Sequence, residues 1–173
     1  MQTLTLEKNT TTRDIALVLL ASFVICLSGQ IAIPLWFTPI PLVTRNSVIL
    51  LIGALLGARR ASAATFLFLL QGALGLPVFT NGAAGVHHFF GPHGGYLIGY
   101  LLASYTVGYI VEKGKSPITA LAAGNLVIYL CGASYLSTFV GPTKAFLLGV
   151  APFLLGDILK TIVSLKFLQW TNK

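Results

Sequence analysis

Residues 144–168 read KAFLLGVAPFLLGDILKTIVSLKFL, an apolar run that carries an aspartate, Asp157, and a lysine, Lys160, near its middle. The run is long enough to cross the hydrocarbon of a bilayer, which takes about 20 apolar residues. Asp157 lies roughly 20 Å below Lys144 at the rise of a helix. An ionisable group inside a span costs about 2.5 to 3.5 kcal/mol, so such groups face the bundle interior or a wet recess and usually mark function. Three residues apart, the two side chains share one helical face. Either they neutralise one another as a structural pair, or they line a recess open to the outside; the second reading is preferred.

The rest of the chain has the same character. Of its 173 residues 55% are hydrophobic and 9% charged, against roughly 25% charged in a soluble domain. The expected fold is all-α: a single transmembrane domain over 1–173, a polytopic bundle of six helices. The spans are expected at about 15–33, 43–58, 61–76, 95–111, 118–136 and 144–168, as helices because lipid offers backbone groups no partner. The polar stretch 1–14 precedes a run too long for a signal-peptide core and without a convincing cleavage site, so it is expected to stay.

Cations orient the bundle. With both termini cytoplasmic, Lys8, Arg13, Arg59, Arg60, Lys113, Lys115, Lys166 and Lys173 fall on the inner side or at its helix ends. Arg45, Lys144 and Lys160 are the exceptions. The net charge of +7 is dispersed in ones and twos between apolar runs, without the aromatic-rich basic stripe of a nucleic-acid binder; no nucleic-acid partner is expected. Cys26 and Cys131 lie within apolar runs and are expected as free thiols.

Small residues recur at the four-residue spacing that lets helices approach closely in lipid: Gly53 with Gly57, Gly95 with Gly99, Ala120 with Gly124, Ser22 with Cys26. Packing within one bundle explains all four; the first helix could instead use its pair to dock another membrane subunit. Arg45 and Asn46 interrupt an apolar run near the outer end of the second span. Arg45 either presents its planar fork to a carboxylate or snorkels to the outer interface.

The stretch 77–94, PVFTNGAAGVHHFFGPHG, is too Gly-rich to span and too apolar for a plain linker, and is read as an outer lid. In it Asn81 offers a donor and an acceptor to a neutral polar ligand, while Phe79, Phe89, Phe90 and Tyr96 could wall an apolar one. His87, His88 and His93 form no metal site: adjacent histidines point apart and no acid or cysteine completes a shell. No resident cofactor and no catalytic residue is expected. A phosphate-binding Gly-x4-Gly-Lys-Ser/Thr segment is missing, so the chain cannot itself hydrolyse nucleotide. Gly132-Ala133-Ser134 faintly resembles the serine motif of rhomboid-type intramembrane proteases, but Tyr135 replaces the following Gly and the last span has no His; an intramembrane serine hydrolase is a distant alternative.

Five ordered segments carry a closer resemblance. They are Phe37-Thr38-Pro39-Ile40-Pro41; Leu55 to Arg60 (LLGARR); Gly72 to Phe79 (GALGLPVF); Gly91 to Gly99 (GPHGGYLIG); and Pro152 to Lys160 (PFLLGDILK). In these the chain resembles the BioY family, the biotin-binding S components of energy-coupling factor (ECF) transporters. The resemblance implies a non-enzymatic, high-affinity subunit of a bacterial inner (plasma) membrane. It would bind biotin from outside and deliver it inward with an ECF transmembrane coupling subunit and two ATPase subunits. The family's final-helix Asp and Lys fall on Asp157 and Lys160, and its outer ligand region on about Phe79 to Tyr96. Biotin has an apolar ring and tail, a ureido group needing paired hydrogen bonds and a carboxylate needing a cation. Asn81 and Asp157 are expected on the polar ring and Lys160 or Arg45 on the carboxylate, with Thr38, Phe79, His93 and Tyr96 completing the substrate-binding set. A related small carboxylic-acid vitamin is the alternative ligand. Four positions depart from the family: His93 stands where Thr is usual, Arg45 where Gln is common, and Ser22 and Cys26 where the first-helix docking motif usually has Ala.

Overall fold

The computed structural model describes residues 2–30, 32–33 and 42–171, so Thr38 lies outside the described residues. A two-residue antiparallel pairing joins β1 (Ala32–Ile33) to β2 (Leu42–Val43). Otherwise the regular structure is helical: α1 (Gln2–Ser28), α2 (Arg45–Ala73), α3 (Gly94–Glu112), α4 (Pro117–Val140), α5 (Pro142–Gly149) and α6 (Ala151–Thr171), with short 3-10 turns at Thr80–Gly82 and Val86–Phe89. Residues 11–28 of α1, and α2, α3 and α4, are long and apolar enough to cross a membrane. Leu19, Phe23, Phe66, Leu130 and Val163 lie uncovered on the exterior, as in a bundle whose surrounding solvent is lipid. The chain is an all-helical, multi-pass membrane protein.

α2 is not straight. At Gly57 the backbone turns to φ 79°, ψ 173°, a conformation that only glycine adopts without a Cβ clash. The Arg45 guanidinium lies 4.8 Å from the centre of the Phe68 ring, whereas a straight helix would hold them roughly 35 Å apart. α2 is therefore a hairpin with an outgoing limb, 45–56, and a returning limb, 58–73. Glu112, at the end of α3, accepts a hydrogen bond from the Ala58 N–H at 2.8 Å and so satisfies a donor freed by the turn. Gly108 lets α3 close on this turn, since a Cβ there would come within 2.2 Å of the Ala58 nitrogen. Arg60 pairs with Asp14 of α1 at 2.9 Å. These contacts gather Arg13, Arg59, Arg60, Lys113 and Lys115 at one end of the bundle.

α3 packs between α2 and α4, and α1 lies along α2. The small residues serve these seams. Gly53 meets Ser104 and Val107, Gly95 and Gly99 meet Cys131 and Ile128, and Gly124 meets Leu50 and Val107. Of the two readings of Ser22 and Cys26 the structure shows packing within the bundle: both are buried, and their side chains donate to Gln71 Oε1 on the returning limb of α2, each at 3.3 Å. In lipid a glutamine must find partners inside the bundle, so Ser22 and Cys26 turn inward to meet it, and Leu19, Leu20 and Phe23 form the outer face of α1.

The run 144–168 is broken. α5 ends at Gly149, Val150 leaves helical geometry (φ −125°, ψ −60°), and α6 starts at Ala151. Pro152 explains the break, because it has no N–H to give to the preceding turn and its ring crowds that turn's carbonyl. The restart puts Asp157 about 9 Å into α6.

Candidate functional site

Asp157 is 5% exposed and draws three helices together. Asn46 Nδ2, on the outgoing limb of α2, donates to both of its oxygens, at 3.0 Å to Oδ1 and 2.9 Å to Oδ2. Tyr129 of α4 donates its hydroxyl to Oδ2 at 2.5 Å, and Lys160 donates to Oδ1 at 3.0 Å. A carboxylate accepts about four hydrogen bonds, so every acceptor position of Asp157 is used. Asp157 and Lys160 pair with each other, as one of the two sequence readings had it, but the pair does not stand alone. One turn further along α6, Thr161 accepts from Asn125 of α4 at 3.3 Å, extending the polar seam.

Arg45 sits in a second cluster. It is 2% exposed, so it does not snorkel to the interface. Its Nη2 donates to the Val78 carbonyl at 2.8 Å and its Nη1 to Thr80 Oγ1 at 3.5 Å, while its face lies over Phe68. Gly29 leaves it room: a Cβ at that position would fall 1.7 Å from the guanidinium. Among the described residues no carboxylate pairs with Arg45. Among the described residues two buried polar atoms, Arg45 Nε and Asn46 Oδ1, have no hydrogen-bond partner. Tyr100 is buried on α3.

The 77–93 segment closes over Arg45. Phe79 is its anchor, 3% exposed, with edge contacts to Phe68, His88 and Phe89 at 5.7, 5.6 and 5.9 Å between ring centres. Gln30 clamps the segment, its Nε2 donating to the Pro77 carbonyl at 3.1 Å and its Oε1 accepting from the Gly82 N–H at 3.1 Å. Gly85 N–H donates to the Gly72 carbonyl at 2.7 Å. Burial, and then the neighbouring His87 and His93, push the His88 pKa down, so its ring meets Phe79 uncharged at neutral pH.

The sequence-predicted residues thus fall into groups. Asp157 and Lys160 meet, Arg45 and Phe79 meet under the closing segment, and Tyr96 is buried on α3 with its hydroxyl donating to the Gly149 carbonyl at 2.8 Å, where α5 ends. His93 stands at the N-cap position of α3. Asn81 stands exposed at the tip of the segment in a left-handed turn (φ 57°), away from the Asp157 cluster's hydrogen bonds. Sequence reasoning assigned no role to Tyr129, Tyr100, Gln30 or Gln71. For the two glutamines the signal was available, since a polar amide in or beside an apolar span must find a partner.

Comparison with known proteins points one way. The sequence profile of the BioY family matches residues 1–172. A probable biotin transporter BioY of Pyrococcus horikoshii is 36% identical over 148 residues, 86% of this chain and 89% of the relative. A biotin transporter BioY of Rhizobium etli is 34% identical over 168 residues, 88% of this chain and 89% of its own. The fold is similar to the crystal structure of an S-component for biotin from an ECF-type ABC transporter, with a TM-score of 0.86 at 26% identity over 95% of this chain and 93% of the other. With its profile matched from end to end, the chain belongs to the BioY family.

Proposed function

We propose that this protein is the substrate-capturing subunit of a biotin uptake system: it binds biotin from outside and releases it to the cytoplasm. One observation carries the proposal. Arg45 is a fully buried cation with no acid beside it among the described residues and with an unsatisfied Nε. An uncompensated buried charge is costly, by several kcal/mol, and an anionic ligand arriving beneath the 77–93 segment removes that cost. Lys160 already has Asp157 for a partner, so Arg45 is the residue assigned to the biotin carboxylate. The apolar walls of Phe68 and Phe79 suit the tail, and the Asn46, Asp157 and Lys160 cluster suits the ureido ring. Names of relatives in bacteria and an archaeon support biotin as the cargo.

The cationic end of the bundle, with Arg59, Arg60, Lys113 and Lys115, is the cytoplasmic end by the positive-inside rule. That orientation puts both termini inside and the 77–93 segment outside, in a prokaryotic plasma membrane. An ECF transmembrane coupling subunit and two ATPase subunits would supply the energy, because this chain carries no nucleotide-binding loop. Calorimetric titration of the purified protein in detergent tests the proposal with three ligands. Biotin and dethiobiotin, which both keep the ureido group and the carboxylate, are expected to bind saturably, and lipoate, which lacks the ureido group, at least about tenfold more weakly. Lipoate binding as tightly as biotin, or biotin not binding at all, would contradict it.

A further inference from the structure

Asn46 belongs to the cluster assigned above to the ureido ring, and its geometry defines a role of its own there. Its Nδ2 spans both Asp157 oxygens at 3.0 and 2.9 Å. Amide orientation is an assignment that the surrounding hydrogen bonds must justify; here a flip would set Oδ1 against the carboxylate, acceptor against acceptor, and leave Nδ2 without a partner. The orientation is therefore determined. It leaves Oδ1 shut off from solvent and without a donor among the described residues. A buried carbonyl in this state costs about 1 to 3 kcal/mol until a donor reaches it.

Asp157 cannot be that group's equivalent. All of its acceptor positions are taken by Asn46, Tyr129 and Lys160, and a ligand N–H would have to displace one of them. The open acceptor beside it belongs to Asn46. We propose that Asn46 Oδ1 is the direct acceptor for a ring N–H of the ligand, and that Asp157 is a positioning residue that aims the Asn46 amide. The ligand class is a cyclic urea or similar ring bearing an N–H donor. This inference rests on the biotin reading above and adds a specificity-determining residue to it.

The two singly N-methylated biotins, each with one ureido N–H blocked, provide the test. Their affinities and that of biotin would be measured by calorimetry for the wild-type protein and for Asn46→Leu, which keeps the side-chain volume and removes the carbonyl. Wild type is expected to reject one of the two isomers by about tenfold or more relative to biotin. In Asn46→Leu that preference should shrink to within about threefold, because no acceptor remains to be left unpaired. Asn46→Val gives the same ratio if the Leu variant folds poorly. Were Asn46 only a brace for Asp157, its replacement would weaken biotin and both isomers equally, and that result would overturn the inference while leaving the biotin reading intact. Failure of wild type to bind biotin would overturn both.

Discussion

Arg45 and Asp157 are both charged, both buried and both anchored beside the same helical limb, yet their surroundings are opposites. Asp157 is saturated: an amide, a phenol and an ammonium group complete its shell. Arg45 is held by a backbone carbonyl, a hydroxyl and an aromatic face, with no anion among the described residues and one idle donor. A charge whose partners all come from the protein can organise structure without help. A charge stripped of water and given no counter-ion is poised for a ligand that brings one. Asp157 thus holds three helices in register, and under the proposed function Arg45 would read the charge of the ligand.

The largest effect is expected on the saturated side. Asp157→Asn or Lys160→Ala should lower biotin affinity by tenfold or more, in line with about 2 to 5 kcal/mol for removing one member of a buried charged contact. Titration of both variants checks this, and unchanged affinity in both would separate the cluster from the ligand. Next comes Arg45→Lys, which keeps the charge but loses the planar fork; a loss of about 1 to 3 kcal/mol is expected, with the 77–83 stretch more open to limited proteolysis. A Lys variant with wild-type affinity would mean that charge alone matters there.

Gln30→Ala removes the clamp on Pro77 and Gly82 without touching either charge. About 1 kcal/mol is expected for two exposed neutral hydrogen bonds, seen as faster amide exchange in residues 77–83 with a small change in affinity. The smallest effect concerns His88. A histidine whose pKa is lowered on folding contributes stability above its free value, about 6.5, that is lost as pH falls through the lowered value. Thermal stability should therefore fall slightly as pH drops from 7 to 5, and His88→Phe should flatten that slope. A slope that survives in the variant would separate it from His88.

The same contrast explains what could be read in the sequence. Spans, small-residue seams and the Asp157–Lys160 face follow from hydropathy and helical spacing, because lipid imposes those patterns on every residue of a span. The Gly57 hairpin was legible as Arg59-Arg60 between two apolar runs. The break at Val150 was also written there, in Pro152, but the run is apolar on both sides and hydropathy does not register backbone direction. Tyr129 could not be singled out, since one tyrosine in an apolar helix looks like any other until α6 lies opposite it. Ser22 and Cys26 carried the right spacing for an exposed seam, and only the position of Gln71 across the gap decides that they face inward. Asn81 fits the chemistry of a ligand contact by its amide, and its place at the exposed tip, in a left-handed turn, could not be read from that chemistry.

Biotin and its methyl ester, titrated into wild type and Arg45→Leu, test the role of the unpaired cation most directly. Wild type should prefer the free acid by about tenfold or more, the equivalent of about 1.4 kcal/mol, and the Leu variant should bind acid and ester alike. An Arg45→Leu protein that still prefers the acid as strongly as wild type would contradict the assignment of Arg45 to the ligand's carboxylate.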